Sequence, residues 1–133
     1  MSGERNLARL LAGMRPRRQP GVYLFCTLAE HEINADVRAL ATFEEEEGLT
    51  LVVEESELLK HGLNGRFPCA WITLEVHSDL AAVGFLAAIA SALAAEGIAC
   101  NPVSAFHHDH LFVPEERAGD ALEVLERLQS AAG

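Results

Sequence analysis

At 133 residues, half of them hydrophobic and 23% charged, the chain is long enough for one compact domain or two small ones sharing a core, and too apolar to be disordered. Net charge is −10, although Arg5, Arg9, Arg15, Arg17 and Arg18 are crowded into the first 18 positions; the acidic remainder repels polyanions and argues against nucleic acid or an anionic membrane as partner. The uncharged stretch 80–95 is shorter than the ~20 apolar residues a bilayer span needs, and the N-terminus lacks the order of a signal peptide, so a cytoplasmic protein is expected.

In chain order, Leu7, Leu10, Leu11 and Met14 form one apolar stripe, which predicts a first helix ended by Pro16. The basic "RPRR" segment after it is expected to dock on the protein's own acids or to stay solvated. "GVYLFCTL" reads as a strand, residues 29–36 as a loop, and "VRALATF" as a second strand by its alternation. Glu44–Glu47 makes a solvated hairpin tip before the strand "LTLVVE", and "ESELLKHG" is a short helix closed by Gly62. "GLNGRFP", with two glycines and a proline, marks the internal boundary, giving halves of 1–64 and 65–133.

"CAWITLEV" is a strand with Ile72, Leu74 and Val76 on one face and Trp71, Thr73, Glu75 and His77 on the other. Ser78 or Asp79 is placed to cap a helix running to about Glu96, with Phe85, Leu86, Ile89 and Leu93 as its large face and alanines over much of the rest. "IACNPVSAF" and "LFV" follow as an antiparallel pair joined by "HHDH", and Pro114 opens a last helix whose buried stripe is Ala118, Ala121, Leu122, Leu125 and Leu128. The second half thus reads β-α-β-β-α, one strand short of a ferredoxin-like unit, so the two halves are expected to complete each other's sheets. The alanine face and the open sheet edge predict a two-fold homodimer.

Three segments, "EEEGLTLVV", "ITLEVHSDLAAVGFLAAIASALAAEGIACN" and "HHDHLFVP", resemble the small stand-alone ACT-domain proteins of bacteria, in which an incomplete N-terminal ACT-like half precedes a C-terminal half of the aspartokinase-regulatory type. The resemblance implies an α+β fold of two interlocked ferredoxin-like halves, with antiparallel sheets and helices packed on one face. It further implies a non-catalytic regulatory module that senses a small molecule, an amino acid, at an interface between ACT modules, without a cofactor. Carried over by position, the ligand-binding residues are His77, Ser78, Asp79, Leu80, Ala82, Val83 and Gly84 in the loop after the strand, with Asn101 and Asp109 beside it. Many aspartokinase-type modules have a Pro-Gly pair where this chain has Val83-Gly84.

Other readings stay open for the histidines. His108 and His110, two apart, could join a Zn²⁺ or Ni²⁺ site with His77 or Asp109, making this a metal-binding protein; a structural or interaction protein without ligand is the other alternative. No nucleophile elbow or phosphate loop is present, and Cys26, Cys69 and Cys100 form no CxxC pair, so neither an enzyme nor a zinc ribbon is expected.

Overall fold

A computed structural model describes residues 3–133. Its helices and strands, in chain order, are α1 (Leu7–Gly13), β1 (Pro16–Arg18), β2 (Tyr23–Leu28), β3 (Ala41–Glu45), β4 (Gly48–Glu54), α2 (Glu55–His61), β5 (Arg66–Leu74), α3 (Phe85–Ala95), β6 (Asn101–Ser104), β7 (Asp109–Pro114) and α4 (Ala118–Ala132). Short 3-10 turns at Glu30–Glu32 and Glu115–Arg117 complete the list. The chain divides into two compact units, Met1–Pro20 with Ala70–Gly133, and Gly21–Cys69.

In the first unit the strand order is β1, β5, β7, β6, with β1 antiparallel to β5 and β6 antiparallel to β7. The strand that the second half lacks is therefore Pro16–Arg18, which pairs with Ile72–Leu74. Alternation sorts the sheet residues. Ala70, Ile72 and Leu74 of β5, and Leu111 and Val113 of β7, enter a core with Leu10 and Met14, with Phe85, Ile89 and Leu93 of α3, and with Ala121 and Leu125 of α4. Each fully buried large aliphatic side chain is worth about 1.5–3 kcal/mol, so this core carries most of the unit's stability. Trp71, Thr73, His110 and Phe112 lie on the opposite side of the strands.

In the second unit the order is β3, β4, β2, then the start of β5. Cys26, Leu28, Leu51 and Val53 form its core, with Val37, Ala39, Leu49, Leu58 and Leu63 packed against them. The hairpin tip forms where Glu44–Glu47 predicts it, with Glu45 opposite Gly48. Both units follow the strand order of a ferredoxin-like fold, the second with a loop and a 3-10 turn where the first helix would stand. The architecture is α+β, as read from the sequence.

Three local expectations need correction. Ser78 and Asp79 do not cap the third helix, which starts at Phe85 with Gly84 in the capping position at φ +94. Only residues 105–108 make the last hairpin turn, and Asp109 and His110 already belong to β7. The second predicted strand begins at Ala41, because Val37 and Ala39 are spent on packing against the core. The basic segment does dock on the protein's own acids, Arg17 lying 3.4 Å from Glu75, and it does so as the strand β1.

Candidate functional site

β5 ends at Leu74, and residues 75–84 form a loop before α3. Ser78 in that loop is buried, and its hydroxyl donates to Asp109 Oδ2 at 3.1 Å. Asp109 opens β7 opposite Ser104, whose hydroxyl donates to Asp109 Oδ1 at 2.6 Å. Asp109 is only 7% exposed, and among the described residues no cation pairs with it. A buried carboxyl held by two neutral hydroxyls is only partly compensated for its lost water, and a cationic group arriving beside it would form a charge-assisted bond.

Asp79 is built differently. Its Oδ1 accepts the Ala81 N–H at 2.7 Å, and Arg5 Nε lies 3.4 Å from Oδ2. The Ala81 N–H, with help from Arg5, holds this carboxyl below the usual carboxylate range. The N-terminal segment runs alongside as a parallel bridge between Glu4 and Ser78: the Glu4 N–H donates to His77 O at 2.8 Å, and the Asp79 N–H donates to Glu4 O at 3.0 Å.

Two small hollows flank the Ser78–Leu80 segment. One, of about 110 Å³, is lined by Gly3, His77, Ser78, Asp79, Leu80 and Phe106. The other, of about 60 Å³, is lined by Ser78, Asp79, Leu80, Ala82, Phe85, Leu86, Ser104 and Asp109. Leu80, Val83 and Phe106 stand exposed around this region at 66%, 85% and 64%. A larger open hollow of about 720 Å³ lies in the other unit, between Glu30, Ile33 and the Glu44–Leu49 hairpin tip. Its glutamates are exposed and converge on no common point, so size does not make it the better site.

Among the residues expected at the site, His77, Ser78, Asp79, Leu80, Ala82 and Asp109 line one hollow or the other. Val83 projects into solvent, Gly84 precedes α3, and Asn101 sits at the far end of β6 opposite Phe112; these three line neither. Sequence reasoning passed over Gly3, Ser104 and Phe106. Ser104 was findable, since the residue facing Asp109 follows from the hairpin register once the turn is placed correctly.

The histidines diverge. His110 Nδ1 accepts the Trp71 indole N–H at 3.0 Å on the sheet face away from Asp109, and Thr73 Oγ1 lies 3.1 Å from the same nitrogen. His107 packs between Phe106 and His77, with ring centroids at 5.0 and 5.6 Å. His108 Nδ1 approaches Val76 O at 3.4 Å. Among the described residues no three His, Cys, Asp or Glu side chains are grouped to hold a metal ion, and His77, His108 and His110 do not converge. Burial pushes the Cys69 thiol up to about 12 and the Cys100 thiol up to about 11, which suits apolar packing rather than nucleophilic chemistry.

Comparison with known proteins bears on the family and the fold. Two models described as ACT domains match the chain, one over residues 2–70 and the other over residues 66–127. A Vibrio cholerae protein of unknown function, described as a possible transport protein, is 40% identical and superposes with a TM-score of 0.82, covering 92% of this chain and 95% of that one. The ligand-free regulatory subunit of aspartate kinase from Thermus thermophilus is 12% identical with a TM-score of 0.59, covering 85% of this chain and 95% of that one, and shares the fold. The cytosolic arginine sensor for mTORC1 subunit 1 of Bos taurus is 44% identical over 50 residues, which is 38% of this chain and 15% of that protein.

Proposed function

Because this chain belongs to the ACT-domain family, we propose that it is a regulatory module that binds a free amino acid at the 77–84 loop of its C-terminal half. Small-molecule binding in a regulatory role is the family's general function. The amino acid is the finer step, and the Asp109 arrangement carries it: a buried carboxyl beside a hollow, held by Ser78 and Ser104 and lacking a cation. An amino acid needs two opposite partners, and the site offers both, backbone N–H groups of the loop for the carboxylate and Asp109 of β7 for a cationic group. The likeness to an arginine sensor makes L-arginine the first probe.

The hollows, at about 110 and 60 Å³, lie below the ~300 Å³ at which ligand pockets begin, so the site is completed by movement or by a second ACT module. We place the protein in the cytoplasm as a homodimer, with no cofactor and no catalytic step in its action. Among the described residues no helix is long and apolar enough to cross a membrane.

Calorimetry with L-arginine and the other common amino acids tests the reading. Asp109→Asn keeps the side chain's size and its contact with both serines while removing the charge. It is expected to weaken binding of the best ligand more than tenfold, since a charge-assisted bond is worth roughly 1.5–3 kcal/mol. Thermal melting of both forms controls for folding. Equal affinity in the two would remove Asp109 from the site.

A further inference from the structure

The segment Gly3–Asn6 is fastened to the candidate ligand loop in an unusual way. Only one residue makes the bridge. Glu4 presents its N–H to His77 O (2.8 Å) and its C=O to the Asp79 N–H (3.0 Å), so that a donor and an acceptor on one α-carbon bracket Ser78. A free α-amino acid carries the same pair on one α-carbon, with the ammonium as donor and the carboxylate as acceptor. We propose that Glu4 is a built-in competitor: its main chain occupies the subsite where a ligand's ammonium and carboxylate bind, and the ligand enters by lifting the N-terminal strap. This rests on the reading of residues 77–84 as the ligand loop, and adds to it where the ligand's main chain sits and what must leave first.

The surroundings fit a strap that can open without unfolding the unit. Beyond Glu4 the chain is anchored again at α1, where Asn6 accepts the Arg9 N–H at 3.0 Å and Leu10 and Met14 are fully buried. Glu4 satisfies the N–H groups of Arg5 and Asn6 with its own carboxylate, both at 3.0 Å, so its side chain is not committed to the loop. Besides the two backbone bonds, the strap is tied to the Asp79 carboxylate by the Gly3 N–H and by Arg5 at 3.4 Å, whose side chain is 66% exposed and therefore contributes little. The strap also walls the 110 Å³ hollow through Gly3, so lifting it enlarges the space beside Ser78. A ligand lying in Glu4's place would replace two neutral bonds by charge-assisted ones, and a cationic side chain would remain free for Asp109.

Gly3 supplies the handle for the experiment. A Cβ there would stand 2.6 Å from His77 O and 2.7 Å from both Asp79 N and the Ser78 carbonyl carbon. These are backbone atoms that cannot yield, so Gly3→Val pushes the strap off. Arg5→Glu loosens it more gently, by placing like charge against Asp79, and serves if the first variant perturbs folding. A ligand that must wait for a minor open state binds more weakly in proportion to that state's population. Gly3→Val is therefore expected to bind L-arginine, or whichever of the twenty amino acids the parent binds, about tenfold more tightly, and Arg5→Glu about threefold. Amide exchange gives the second readout. In the free parent the Glu4 and Asp79 amides are both protected; at saturating ligand Asp79 stays protected and Glu4 exchanges fast. Equal or weaker binding by both variants, or a Glu4 amide still protected at saturation, overturns the strap's role and leaves the ligand site standing. No saturable binding of any of the twenty amino acids by any form overturns both.

Discussion

His110 shows how a single position in β7 can be read chemically and still be assigned to the wrong partners. Its Nδ1 accepts the Trp71 N–H at 3.0 Å, so a proton added there would set one N–H against another. Burial lowers its pKa from the ordinary histidine value, and nearby His108 adds to this while Asp109 opposes it. A histidine whose folded pKa is depressed stays neutral in the fold while the unfolded chain takes up a proton. Its stability contribution is thus complete above the unfolded value of about 6.5 and is lost as pH falls from there through the folded value. Denaturant unfolding followed by fluorescence of Trp71, the chain's single tryptophan, should give a lower midpoint at pH 5.5 than at pH 7.5. His110→Gln keeps an acceptor for Trp71 and should flatten that pH difference; an undiminished difference would place its origin elsewhere. In the sequence, "HHDH" announces chemistry but not direction. Direction comes from strand alternation, which begins at Asp109 and sends Asp109 and His110 to opposite faces. Ser78 misleads for the same kind of reason: a serine before an apolar run is a good helix cap, and only the tertiary fold gives its hydroxyl a buried carboxylate instead.

α1 and β1 raise the question at the level of elements. The helix has seven residues, too few to be stable alone, and the strand has three, one of them proline. The apolar stripe made the helix legible. The strand was not, because Pro16-Arg17-Arg18 has neither alternation nor β-branched residues, and it exists only because Ile72–Leu74 offers a free edge. Gln19 extends the attachment, with its Nε2 donating to Thr73 Oγ1 at 2.9 Å. The loop before α3 was hidden likewise, since Asp79 turns the chain by accepting the Ala81 N–H rather than by starting a helix. If α1 is part of the C-terminal unit's core rather than an appendage, Leu10→Ala should cost about 2–5 kcal/mol, as for other fully buried leucines. Urea denaturation measures it, and a loss below about 0.5 kcal/mol, typical of surface positions, would detach α1 from the core.

The whole molecule presents two surfaces through which a second copy could bind, and their chemistry separates them. The outer edge of β6 is exposed along its length. The Ala105 N–H donates to His108 O at 3.0 Å, so by alternation Asn101 and Val103 turn their backbone groups to β7, while Pro102 and Ser104 turn theirs outward. Proline has no N–H to offer, and at an outward position it blunts the edge against strand addition. The face of α3 carries no such defence. Phe85, Ile89 and Leu93 are buried, whereas Ala87, Ala90, Ser91 and Ala94 are exposed on the other side with no charge among them. Small residues let a second helix approach closely, and their truncated side chains lose little entropy when they pack. We therefore expect dimerisation through α3 rather than through β6. Sedimentation equilibrium at tens of micromolar should give a dimer for the parent protein and a monomer for Ala87→Glu with Ala94→Glu, because burying two like charges against their symmetry mates in one helix pair is strongly unfavourable. These substitutions face away from the core and are good helix formers, so the melting temperature of the monomeric variant at low protein concentration should stay close to the parent's. A monomeric parent protein would remove the dimer altogether. A dimer that survives both glutamates would move the interface off this helix.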